Sequence, residues 1–322
     1  APAVITGFLL TAAYNWTGTP NVKGAPLVAL ALIWLAGRVV MFAADGLPGI
    51  VVAVVDLAFL PAAGLVVLPA LWRAGRWANT AFVGLLMLMA LSNLMIHLEA
   101  LGILETTARA GLYAGTDLVL LIMVIVGGRI TNAFTRNAIG IQVPPQPLRD
   151  QLAVGIVALL AWVFAPFSVT SAGLVALAAV AHVVRLSRWR GLPTWREPLL
   201  AVLHVGYGWI PVALALIAAG GFWPDRVPPS AGIHALTVGA IATMTLAVMS
   251  RAIRGHSGRS LTAGTVATLV FIAITFAALV RVGTPFHADT YTVHLMVAAA
   301  LWIAAYLGFV LVHAGAILLR PR

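Results

Sequence analysis

HALTVGAIATMTLAVMSRAIRGHSGR, residues 234–259, is the stretch from which the rest of the chain can be read. Its middle is apolar over the length of a helix and a histidine stands where that helix begins. Its exit is basic and punctuated by glycine, with Arg251, Arg254, His256 and Arg259. At ~100° per residue, His234, Thr237, Ile241, Thr245 and Ala252 share one stripe, so a helix that is apolar overall carries a mildly polar face. Such a face needs a partner on another helix.

Outward from that helix the composition stays the same. Of the residues, 62% are hydrophobic and 9% charged, and the mean hydropathy is +1.04. A soluble domain carries about 25% charged residues, so this chain lacks the polar atoms to coat a surface facing water. The lipid bilayer is its solvent. Apolar windows of roughly 18 to 22 residues recur with short loops between them, near 26–43, 49–71, 79–98, 112–130, 150–167, 170–187, 198–219, 231–250, 261–281 and 290–314. The opening run APAVITGFLLTAAY is too short to span and reads as the second half of a helix. The expected fold is all-α: one polytopic transmembrane helical domain over residues 1–322, truncated at its N-terminus. About ten or eleven spans lie here, and twelve are expected in the full-length protein.

The formal charge of +10 follows the loops. One side collects Lys23, Arg73, Arg76, Arg129, Arg136, Arg149, Arg185, Arg188, Arg190, Arg196, Arg251, Arg254, Arg259, Arg320 and Arg322, whereas the other holds Arg109, Arg226 and Arg281. The positive-inside rule makes the first side cytoplasmic, together with the C-terminus. The charge is a topology signal, which argues against a nucleic-acid partner. The absence of cysteine excludes disulfides, thiolate-bound zinc, iron–sulfur clusters, blue-copper sites and haem attached through C-x-x-C-H. A metal here is left to histidine, methionine, carboxylate or backbone.

Charges within hydrocarbon cost at least a few kcal/mol each, so those present need a partner or a task. Arg38 and Asp56 fall on consecutive antiparallel helices at similar depth, roughly 10 to 14 Å below the surface. They read as a structural ion pair, with a proton or ligand pathway as the other reading and Asp117 as a competing partner for Arg38. His182 and His204 also lie on consecutive helices, level with each other and ~9 Å deep. An imidazole pair from two helices is a common way to ligate haem iron, and imidazole suits copper too. For each histidine the alternative is a hydrogen-bonded place in the core. His97, His234 and His294 fall at the opposite ends of their helices, His313 near an inner end, and His256 and His287 in loops. Met95, Met244 and Met249 are either soft ligands for Cu(I) or gap fillers.

Several stretches together resemble the NnrS family of bacterial inner-membrane proteins. They are ITGFLLTAAYNWTGTP at 5–20, WLAGR at 34–38, NLMIHLEALG at 93–102, GGRITNAFTRNA at 127–138, LHVGYGWIP at 203–211 and the opening helix at 234–259. The resemblance implies a twelve-helix protein of the bacterial inner membrane that binds haem and copper and contributes to nitric oxide (nitrosative) stress tolerance. By motif position His97, His204, His234 and His256 match family histidines, as does His182. Arg38, Asn93, Arg129, Arg136 and Arg251 match as well. On this reading His97 and His234 belong to an outer metal cluster, completed by histidines of a W-H-x-H-E-M-type motif that would precede residue 1, and His182 and His204 form an inner cofactor-binding pair. The chain departs from the family at Thr131 and Asn132, where proline is common. Two rival classes lack redox chemistry. A secondary transporter would use Arg38, Asp56 and Asp117 as a buried charged pathway, helped by the helix breakers Gly206, Gly208 and Pro211. A membrane sensor or assembly factor would dock a partner on the basic loops.

Overall fold

The computed structural model describes residues 2–18, 22–75, 77–140 and 148–318. Arg76, Arg320, Arg322, the side chain of Arg149 and the middle of the 131–149 loop lie outside them. Every regular element among the described residues is helical. Among the described residues nine helices are long and apolar enough to cross a membrane, and two shorter apolar helices, Pro2–Ala12 and Val154–Phe164, bring the apolar segments to eleven. The protein is a polytopic helical membrane protein.

The chain divides into two compact units, Ala1–Val119 and Leu120–Arg322. The first holds α1 (Pro2–Thr17), α2 (Ala25–Phe42), α3 (Gly49–Leu57), α4 (Phe59–Arg73), α5 (Trp77–Ala100) and most of α6 (Ala108–Ile122). Helices α3 and α4 form one span interrupted at Ala58. Pro61 has no N–H to give to the carbonyl of Leu57, so the hydrogen-bond ladder breaks one turn before it. Helix α4 packs between α1 and α5, and α2 lies on α3. Helix α2 buries only Leu30 and Gly37 and exposes Leu27, Val28, Leu32, Val39 and Phe42, the last 96% accessible. Soluble monomers rarely leave such a continuous apolar face to water, and hydrocarbon removes the penalty.

In the second unit α6 runs into a π-helical turn, Met123–Gly127, and then α7 (Gly128–Ile139). The remaining elements are α8 (Leu148–Phe164), α9 (Val169–Ser187), α10 (Pro198–Phe222), α11 (Pro229–His234), a π-helical stretch Ala235–Ala242, α12 (Thr243–His256), α13 (Thr265–Gly283) and α14 (Tyr291–Leu318). Helix α10 is the centre, touching α7, α9, α11, the π-helical stretch, α12 and α13. Pro198 stands at its first turn, where a missing N–H costs nothing. Glu197 caps it by accepting from Leu199 N at 3.4 Å and also accepts from Ala263 N at 3.1 Å, which fastens the segment before α13.

Three sequence readings change here. The helix expected over 112–130 continues to Ile139, so Arg136 stands on the same helix as Arg129 and not in a loop. Its extension is amphipathic, with Thr131 and Thr135 fully buried, and its low hydropathy hid it from an apolar window. The face computed for 234–252 at 100° per residue does not hold, because the wider turns of Ala235–Ala242 shift the phase of all that follows. Gly206, Gly208 and Pro211 do not break α10, which is helical throughout. Gly206 instead admits Met244, since a Cβ there would lie 2.9 Å from its Cγ and 3.0 Å from its sulfur. Met244 is thus a packing residue between Gly206 and Gly127.

Candidate functional site

Each unit contains a buried polar cluster. In the first, Asp56 on α3 keeps 3% of its side chain accessible and accepts hydrogen bonds from two other helices. Arg38 Nη2, from α2, donates to Oδ1. From α5, Asn93 Nδ2 donates to Oδ2 at 2.7 Å, and His97 Nε2 lies 3.1 Å from the same oxygen. An ionised carboxylate only accepts, so the proton of this contact sits on His97 Nε2 and the second ring nitrogen, Nδ1, faces elsewhere. Asn93 and His97 were legible as one helix face, being four residues apart, but nothing in the sequence paired that face with Asp56. Asp117 does not share the cluster. It is buried, and neither carboxylate oxygen has a hydrogen-bond partner among the described residues.

In the second unit the cluster centres on Tyr207, fully buried on α10. Its hydroxyl accepts from Arg185 Nη1 at 2.8 Å and lies 3.1 Å from His182 Nδ1. Arg185 Nη1 also donates to the Val124 carbonyl, at 3.0 Å, inside the π-turn. The guanidinium carbon lies 5.4 Å from the Trp189 ring centroid and 5.6 Å from that of Tyr207. This corrects the placing of Arg185 among cytoplasmic loop residues, for it is 4% accessible and inside the helix bundle. The two hydrogen bonds and the two rings replace its hydration.

His204 Nε2 is 2.8 Å from Thr135 Oγ1. That hydroxyl already gives its one proton to the Thr131 carbonyl at 2.7 Å, so it accepts from His204, which carries its proton on Nε2 and presents Nδ1. Nδ1 lies against Gly191, where a Cβ would overlap the imidazole ring. The turn that delivers Gly191 places Arg190 at φ 51°, a left-handed conformation uncommon outside glycine. His182 and His204 are joined indirectly: Tyr207 packs on Trp189 at 4.5 Å between ring centroids, and Trp189 on His204 at 6.1 Å. No direct hydrogen bond links the two imidazoles.

The other histidines are dispersed. His234 ends α11, within the second unit, whereas His97 belongs to the first. His287 and His294 stack at 5.0 Å, and His313 is buried against Phe309. Among the described residues no three or more His, Cys, Asp or Glu side chains gather closely enough to hold a metal ion by themselves. Two cavities border the second cluster. One, of about 310 Å³, is lined by Arg129, Asn132, Arg136, Arg185 and Trp189. The other, of about 20 Å³, has His182 and otherwise apolar residues among its described lining, Leu120, Leu121, Val124, Leu159 and Leu214 included.

Compared with known protein families, the chain matches the family model described as NnrS protein over residues 1–322. Comparison with curated proteins and with solved structures returned no match.

Proposed function

The chain belongs to the NnrS family, and on that premise we propose that it is a multi-pass protein of the bacterial inner membrane, C-terminus in the cytoplasm, that binds haem and copper and contributes to tolerance of nitric oxide. The observation that carries the proposal is the way three imidazoles are held. His97, His182 and His204 each have one ring nitrogen fixed by a carboxylate or hydroxyl. Metal-ligating histidines are oriented by this kind of outer partner, which sets the tautomer and aims the second nitrogen.

The residues fit a metal ion better than a macrocycle. His97, held by Asp56, has the carboxylate–histidine arrangement that supports a ligand through Nδ1. His182 borders a space of about 20 Å³, the size of one ion or water and far below the roughly 300 Å³ at which cofactor pockets begin. Tyr207 can accept from both Arg185 and His182, since its oxygen has two lone pairs, and this leaves His182 Nε2 free to ligate. A haem has no room at His182 in this arrangement, so its assignment to His182 and His204 rests on family membership, and no reaction step is derived through it. Copper, where bound, would supply a redox-active centre able to bind nitric oxide. The protein's own part is to fix the imidazoles, keep water from His182 with apolar walls, and hold a cation, Arg185, beside them. His234 is proposed with His97 as a metal ligand on family grounds.

The test is metal analysis and an ultraviolet–visible spectrum of protein expressed with haem and copper supplied. Bound copper and a Soret band are expected, with copper lowered in His97→Ala and the Soret band lowered in His204→Ala. A protein that folds, by circular dichroism and gel filtration, yet carries neither group overturns the proposal.

A further inference from the structure

Helix α7 sets Arg129, Asn132 and Arg136 at intervals of three and four residues, along one face of the cylinder. Across from them stand Arg185, in the last turn of α9, and Trp189 just beyond it. The cavity they line holds about 310 Å³, and among the described residues that line it none is acidic. We propose that it is a binding site for a phosphate-type oxyanion, gripped by the guanidinium forks of Arg129, Arg136 and Arg185. Neither haem nor copper enters the argument.

The first support is charge. Three guanidinium groups border one cavity, and neither Arg129 nor Arg136 forms an ion pair among the described residues. Like charges so placed repel, and an anion between them turns the repulsion into attraction. Guanidinium suits a tetrahedral oxyanion because two parallel N–H groups can meet two of its oxygens.

The second is preorganisation. Arg185 is anchored before any ligand arrives, through Nη1 to the Val124 carbonyl and the Tyr207 hydroxyl. Gly128 leaves room for it, since a Cβ at that position would overlap the guanidinium. A group fixed in this way loses little freedom on binding.

The third is independent of charge. Trp189 is fully buried, lines the cavity, and its indole nitrogen has no hydrogen-bond partner among the described residues. An indole N–H can only donate, so the partner it lacks is an acceptor. The Asn132 side-chain oxygen, an acceptor, is also buried with no partner among the described residues, and the NH2 of the same amide supplies two donors. Among the described side chains lining the cavity, the donors of three guanidinium groups, the indole and the Asn132 amide outnumber that one acceptor. The volume exceeds that of a bare phosphate, so either free phosphate or the phosphodiester of a lipid headgroup has this chemistry.

The experiment uses the protein in maltoside micelles, which contain no phosphate, and follows thermal stability while inorganic phosphate or short-chain phosphatidylglycerol is added. Sodium chloride at equal ionic strength is the reference. Saturable stabilisation by phosphate identifies the free anion. Stabilisation by phosphatidylglycerol alone identifies the headgroup. In either case Arg129→Gln with Arg136→Gln, both at exposed positions, weakens the apparent affinity at least about tenfold, the worth of one charge-assisted hydrogen bond. Arg188→Gln removes an exposed charge nearby in sequence and leaves the affinity unchanged. The inference is overturned if neither compound stabilises beyond chloride, or if R188Q weakens binding as much as R129Q/R136Q does.

Discussion

At the scale of single residues the controlling fact is that a polar group inside this protein has no water to fall back on. Asp56 shows the consequence: one carboxylate takes donors from Arg38, Asn93 and His97. Removing the carboxylate strands a guanidinium beside hydrocarbon, so Asp56→Leu is expected to destabilise the protein by about 3 kcal/mol. Replacing both members of an ion pair with apolar residues is far milder, and Arg38→Leu with Asp56→Leu should recover the larger part of that loss. Thermal melts of the two singles and the double give the coupling. A double variant no better than D56L would show that Asn93 and His97, and not Arg38, are the groups that need the carboxylate.

The residue scale is also where the sequence was least informative. His182 and His204 were legible as a level pair on adjacent helices, because depth follows from counting along a helix. Their partners were not. Tyr207 is an aromatic residue three positions beyond His204, Thr135 sits in a stretch read as a loop, and Gly191 is a loop glycine until its contact with the imidazole is seen. Hydrogen bonds between side chains 25 or 69 residues apart leave no local trace in one sequence.

At the scale of elements, the helices are an outcome of apolar length, and their irregularities come from close packing. The π-helical stretch Ala235–Ala242 lies on α10, with Gly239 against Trp209. A Cβ at 239 would stand 2.5 Å from Trp209 Cδ2 and 2.7 Å from Cγ. Gly239→Ala therefore forces the indole or the π-turn to move, at a cost of about 1–3 kcal/mol. A lowered melting temperature with a changed tryptophan emission is expected, and an unchanged one would mean that the stretch re-forms as ordinary helix without penalty. Hydropathy predicted this span correctly as apolar and helical, but a period of 3.6 residues, assumed in advance, cannot reveal where a helix widens to let a partner approach.

For the whole molecule the decisive quantities are exposed apolar surface and charge placement. Each unit exposes large hydrophobic side chains, among them Phe42 and Leu65 in the first and Leu177 and Leu311 in the second. Lipid is the medium in which such surfaces are stable. The orientation proposed from the basic loops can be measured directly because the chain has no cysteine. A cysteine at Ser257 should react with a membrane-impermeant maleimide only after the cells are opened, and one at Asp289 in intact spheroplasts. The reverse pattern would invert the topology.

The sequence by itself determined the solvent, the helical class, the near-complete set of spans and the family, because apolar length, scarcity of charge and contiguous motifs are local properties that survive in one dimension. Only the tertiary structure decided that Arg185 is buried, that α7 carries its arginines to a cavity, that π-turns reset the phase of two spans, and which hydroxyl or carboxylate holds each imidazole. These depend on approaches between helices far apart in the chain. Such approaches are set by where a glycine admits a neighbour and where a buried donor finds its acceptor.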